Sequence, residues 1–163
     1  MACKQGIAAL AALALAGCGG SESEGKRLHG PGFSFEAPAG WKVARRTGAT
    51  SAAAGSRLVS VTVFPLVHAY SPLLFTKAAA ELDRVARSLA QRLGGRLAES
   101  ATVTIAGRRA RRYELTFERG GSAIVERVAF VLRGKREYQL LCRFRRGEDD
   151  SPCERLLATF ALD

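Results

Sequence analysis

The sequence predicts an α+β domain, an antiparallel sheet with helices docked on it, and three observations predict it. Apolar and polar residues alternate in short segments divided by Gly-containing turns, the period-2 pattern of half-buried strands. Residues 75–93 instead repeat apolar residues at three- and four-residue steps, as an amphipathic helix does. A Ser-Pro-Cys-Glu run at 151–154 then opens a second, short helix. Composition permits a packed core: 47% of the 163 residues are hydrophobic and 25% charged, which excludes a disordered chain and suits one domain.

The chain starts with Lys4 and an apolar run from Ile7 to Ala16, too short for a permanent membrane span and shaped like a signal sequence. Residues 19–30 (GGSESEGKRLHG) are polar and rich in Gly and Ser, and read as a flexible tether with a reach of about 20 Å. Phe33–Ala37 alternates as a strand, residues 37–40 (APAG) turn, and Trp41 opens the next strand as a core anchor. Residues 46–56 read as a loop, and Arg57–Phe64 as a strand with Val59, Val61 and Val63 on one face. Residues 65–72 (PLVHAYSP) are the connection into the long helix, with Ser71 as N-cap and Pro72 at the first helical position. Gly94-Gly95 ends that helix.

The rest reads as an antiparallel meander. Thr102–Ala106 turns at Gly107 into Arg108–Glu118, Gly120-Gly121 turns into Ser122–Leu132, and residues 133–135 turn into Arg136–Arg145. In the terminal helix Ser151 is the expected N-cap, Pro152 follows it, and Glu154 completes a capping box. Leu156, Leu157 and Phe160 form its apolar stripe.

Leu15-Ala-Gly-Cys18, directly after the apolar run, resembles the lipobox of bacterial lipoproteins. The resemblance implies cleavage before Cys18, acylation of its thiol with a diacylglyceryl group, and an extracytoplasmic protein anchored to the cell membrane or to an outer membrane. Residues 1–17 are then signal, 18–30 lipidated cysteine and tether, and 31–163 a single globular domain. Cys3 leaves with the signal, so only Cys142 and Cys153 remain in the fold. Both are expected on the same layer across a short strand-to-helix loop, as a disulfide in an oxidising compartment.

Cleavage would remove one of 25 Lys and Arg and none of 15 Asp and Glu, leaving a formal charge of +9. Such a balance attracts an anionic lipid or envelope polymer, although GC-rich coding also favours arginine. Nucleic acid is not an expected partner of an exported domain. The densest basic run is Arg108, Arg109, Arg111 and Arg112; on a strand it splits between two faces. It is a candidate anionic-surface site, with cross-strand pairing to glutamates the competing fate.

Little in the chain points to catalysis. Only His29 and His68 are available, too few for a zinc site of the usual ligand count. No Gly-x-Ser-x-Gly elbow or phosphate-binding glycine loop occurs. Asp149-Asp150 precede a helix start, where solvation and the helix dipole account for them. The candidate ligand site is therefore His68 and Tyr70 in the 65–72 connection, with no metal and no cofactor. The expected function is binding or scaffolding. A carrier of lipid or a small ligand is the alternative, and an envelope hydrolase using His68 a more distant one.

Phe33-x-Phe-x-x-Pro-x-Gly-Trp41, Val103-x-Ile-x-Gly-Arg108, Tyr138-x-Leu140 and Thr159-Phe-x-Leu162 together resemble the PsbP-like superfamily, including the DcrB group and LpqN-type lipoproteins. The resemblance covers about residues 31–163. It implies an α/β/α sandwich around a twisted antiparallel sheet, with no shared catalytic apparatus, in proteins acting as adaptors, assembly factors or envelope lipoproteins.

Overall fold

The computed structural model describes residues 25–163. The signal, the lipobox and Cys18 lie outside the described residues. The elements run β1 (Gly25–Gly30), β2 (Phe33–Pro38), β3 (Lys42–Arg46), β4 (Ala49–Ala54), β5 (Arg57–Tyr70), a 3-10 turn (Pro72–Leu74), α1 (Phe75–Arg92), β6 (Arg96–Ile105), β7 (Arg108–Arg119), β8 (Ser122–Arg145), α2 (Ser151–Thr159) and β9 (Ala161–Leu162). The class is α+β, as expected, with all strand pairs antiparallel.

Two sheets form. The larger has the order β3-β4-β5-β8-β7-β6 and the smaller β1-β2-β9. β8 occupies more of the large sheet than one straight strand could. Its residues 122–130 pair with β7 and residues 134–143 with β5. Fully extended, its 24 residues would span about 80 Å. Yet Arg146 N–H donates to the Ala123 carbonyl at 2.8 Å, and the Arg143 guanidinium meets Glu126 at 2.6 Å. The chain therefore folds back at the expected 133–135 turn, where Gly134 has φ +54° as the first central residue of a tight hairpin turn requires.

Alternation along β5 and β8 divides the core between the faces of the large sheet. Val59, Val61, Leu140, Cys142 and Val131 face the small sheet and α2, joining Leu28, Phe33, Phe35, Leu156 and Phe160. Tyr113, Leu115, Val128 and Phe130 face α1, meeting Leu82, Ala86 and Ala90. The sandwich is thus helix, sheet, then a mixed layer of small sheet and helix. Trp41 is half-buried against the first cluster, with Arg57 5.3 Å over its ring.

Three local expectations are corrected. Gly25–Gly30 are not tether but β1, paired residue for residue with β2. Leu28 alone of this strand is buried, so one leucine in a polar run carried too little periodicity to be seen. Residues 49–54 (ATSAAA) are a strand, not loop; their small side chains hide the alternation that buries Thr50 and Ala52. At α2 the N-cap is Asp150, with no side-chain cap bond. The proposed box does not form because Glu154 turns to Arg127, 3.1 Å away, and Asp149 accepts from Ser151 N–H at 3.0 Å and from its hydroxyl at 2.8 Å.

Candidate functional site

The 65–72 segment is the far end of β5, and its irregularity makes a cleft. β5 pairs regularly with β8 as far as Pro65 opposite Arg136, and pairing resumes at Tyr70 opposite Gly134. Between those points β5 advances five residues and β8 only two, so 66–69 bulge outward. Pro65 helps to cause this, because it has no N–H to give the ladder. Ser71 then precedes the 3-10 turn in extended conformation with Pro72 at its start, but without the expected side-chain cap bond.

The cleft opens between the start of α1 and the bulged end of β5. Leu74, Lys77, Ala78, Glu81 and Leu82 line one wall of a cleft of about 300 Å³; Leu66, His68, Tyr70, Leu132 and Glu137 line the other. Both sequence-predicted residues, His68 and Tyr70, therefore meet in one concave site, His68 exposed at its rim and Tyr70 half-buried. The lining is mainly apolar. Depressions of about 340 Å³ by Gly94–Arg96 and about 350 Å³ by Arg133–Arg136 are as polar as they are apolar.

Sequence reasoning missed Glu137. It is half-buried in this cleft, and burial pushes its carboxyl above the usual range. In register it lies opposite Phe64, itself 43% exposed. A visible signal existed: Glu137 falls on the face opposite Tyr138 and Leu140. That is the face of β8 covered by α1, where Leu82 and Leu132 line the same cleft.

The arginine run divides as strand alternation requires, and it is not one anion-binding surface. Arg111 donates from Nε and Nη2 to the Asp83 carboxylate at 3.1 and 2.7 Å, and from Nη1 to Thr102 at 3.1 Å. The Tyr113 hydroxyl donates to the same Asp83 oxygen at 2.6 Å. Burial would raise the Asp83 pKa, but the hydrogen bonds from Tyr113 and Arg111 outweigh it and hold the carboxyl below its ordinary value. Burial and Asp83 together push the Tyr113 phenol up to about 12. Arg112, on the other face, pairs with Glu99 at 2.9 Å. So Arg111 and Arg112 are committed within the fold, the first as the clamp that fastens α1. Arg109 is exposed, 4.0 Å over the Phe75 ring, and Arg108 is half-buried beside the hairpin turn.

Cross-strand pairing with glutamates does occur, for Arg112 and for two arginines outside the run. Arg127 pairs with Glu114 at 3.0 Å and Asp150 at 2.9 Å, and Arg143 with the buried Glu126. Cys142 and Cys153 form the expected disulfide, their Cα atoms 5.4 Å apart. It ties the first turn of α2 to β8. Among the described residues no three His, Cys, Asp or Glu side chains gather as a metal site, and no helix is long and apolar enough to cross a membrane.

No family model matches the sequence, and no curated protein matches it. Solved structures do. A cyanobacterial PsbP from Synechocystis superimposes with a TM-score of 0.59 at 15% identity, over 91% of this chain and 99% of that one. The chain has the PsbP fold. A protein of Bacteroides thetaiotaomicron gives 0.59 at 14% identity, over 85% of this chain but only 48% of its own. LpqN of Mycobacterium tuberculosis, involved in cell envelope biogenesis, gives 0.47 at 12% identity over 85% of this chain and 90% of that one. At these identities the likeness to PsbP is one of fold.

Proposed function

We propose that this chain is an extracytoplasmic binding or scaffolding domain, held at a membrane by an acylated Cys18, that engages an apolar partner segment in the cleft between β5 and α1 and has no catalytic role. The observation that supports this most is Glu137, a half-buried carboxylate set among Leu66, Leu74, Ala78, Leu82 and Leu132. A mainly apolar concavity with a few polar groups, of which Glu137 is a half-buried acid, suits an aliphatic ligand carrying a cation or hydrogen-bond donor. The other strong groups are spent: the fold's thiols in a disulfide, and Asp83, Glu99, Glu114 and Glu126 in ion pairs. The disulfide supports an oxidising compartment. His68, exposed at the rim, does not favour a hydrolase.

A photo-crosslinking residue at Ala78, expressed in intact cells, tests the reading. We expect one discrete protein adduct that disappears when Leu74→Asp is added. A cleft volume near the lower bound for small-molecule sites favours a second reading, a carrier of a small amphiphile. Native mass spectrometry of the purified domain separates them, since a carrier retains a bound mass.

A further inference from the structure

One end of the large sheet combines exposed aliphatic side chains with unmatched positive charge. Val67, on the β5 bulge, is 86% exposed, and Leu73, in the 3-10 turn, 94%. Neither lines the cleft, and a lone domain gains nothing by showing both to water. The register gathers cations around them. Tyr70 lies opposite Gly134, which brings the exposed Arg133, Lys135 and Arg136 beside the bulge. The pairing of Arg111 with Phe130, carried three residues further, sets Arg108 next to Arg133. Arg109 covers the first residue of α1, two residues before Lys77.

The acids at this end are few. Glu81 pairs with Arg84 and Glu137 is inside the cleft. Asp163 meets Arg133 through its carbonyl oxygen, so its exposed side chain sets one carboxylate against Lys77, Arg108, Arg109, Arg133, Lys135 and Arg136. Glu118, Glu148, Asp149, Asp150 and Glu154 belong to the opposite end, where the Gly120-Gly121 turn and the loop into α2 lie. Arg57, Arg119, Arg127, Arg145 and Arg146 stand among those acids, so the far end is close to neutral and the net positive charge lies at the apolar tip.

We propose that this end is a membrane-docking tip, in which Val67 and Leu73 enter the interface of an anionic phospholipid bilayer and the surrounding Lys and Arg side chains bind its headgroups. Partial insertion of aliphatic side chains within a basic collar is how a peripheral domain adds apolar burial to electrostatic attraction. The proposal rests on the extracytoplasmic placement proposed above but not on acylation. It fixes which face the domain turns to the bilayer.

The test uses processed chain 18–163 carrying Cys18→Ala, since every residue of both cores lies between Leu28 and Phe160. Flotation with vesicles of phosphatidylglycerol and phosphatidylcholine is compared with phosphatidylcholine alone. We expect binding to the anionic vesicles, at least tenfold weakened by Val67→Ser with Leu73→Ser, and similarly by Lys77→Glu with Lys135→Glu. Arg119→Glu with Arg146→Glu removes the same charge from the far end and should leave binding within twofold. Equal loss from both charge pairs would mean that net charge binds rather than this tip, and would overturn the proposal. So would an unaffected serine variant, or no binding to anionic vesicles. Failure here leaves the anchor untouched, because membrane fractionation of the Cys18→Ala chain in cells tests that separately.

Discussion

Asp83→Asn should loosen α1 from the sheet by an amount the geometry sets. The carboxylate accepts two bonds from Arg111 and one from Tyr113, all on Oδ1. The Arg111 side chain is 13% exposed and that of Asp83 31%, so the pair is neither fully screened nor fully desolvated. Bonds to a charged group contribute about 1.5–3 kcal/mol each, and the asparagine keeps one neutral acceptor in place. Allowing for partial exposure, we expect a loss of roughly 2–3 kcal/mol. For a domain of this size that is about 6–9 °C in Tm. The pH dependence gives a second reading. Asp83 has a depressed pKa in the fold, so its contribution is present above the unfolded value near 4 and lost as pH falls through the folded one. Tyr113 is raised to about 12, so its contribution is full below about pH 10 and lost as pH rises towards 12. Urea denaturation from pH 2.5 to 11.5 measures both limbs. Asp83→Asn should flatten the acid limb, and Tyr113→Phe the alkaline one. Unchanged midpoints at pH 7 together with an unchanged acid limb would refute the clamp.

Three further outcomes are expected. Reducing the Cys142–Cys153 bridge, which closes a loop with a sequence separation of 11, should cost about 3 kcal/mol in the chain-entropy model; alkylation of both thiols without reductant would contradict it. Cys18→Ala should shift the protein from the membrane fraction to the soluble extracytoplasmic one, and mass spectrometry of the wild type should find a diacylglyceryl modification there. Ala106 is a non-glycine residue at φ +48°, followed by Gly107 at +69°, in a two-residue turn between Ile105 and Arg108. Asparagine suits that conformation better, so Ala106→Asn should raise stability by about 0.5–1 kcal/mol, read as a higher urea midpoint.

What could be read from the sequence depended on how much contrast each segment carried. β5, β7 and the two arms of β8 alternate large apolar residues with charged ones, and α1 carries a stripe that ends in two glycines, so these were plain. β4 was invisible because alanine and serine barely differ in hydropathy, whereas its identity comes from pairing with β3 and β5. β1 was invisible because its position is fixed by β2 and by one bond from the Thr50 hydroxyl to the His29 carbonyl at 3.2 Å. The site was half legible. His68 and Tyr70 stood out as ringed side chains between prolines, but the bulge that turns them into a cleft wall is a register effect, which no local pattern encodes. Glu137 and the Asp83–Arg111 pair depend on which helix covers which strand. The split of the arginine run between two faces was legible from strand alternation, but which members pair within the fold was not: Arg111 and Arg112 find Asp83 and Glu99, residues distant in the chain.

The small sheet has a consequence for when this domain can fold. β9 pairs with β2 at Phe33 and Ser34, and the Thr159 hydroxyl accepts from the Glu36 N–H, 123 residues away in the chain. Leu28, Phe33 and Phe35 consequently have no finished roof until residues near the C-terminus arrive. Contacts of such long separation close late, after their loop entropy has been met. A nascent chain of this kind stays loose through most of its synthesis. For a protein that we propose is threaded across a membrane before it folds, that delay keeps the polypeptide in the form a translocation channel can accept.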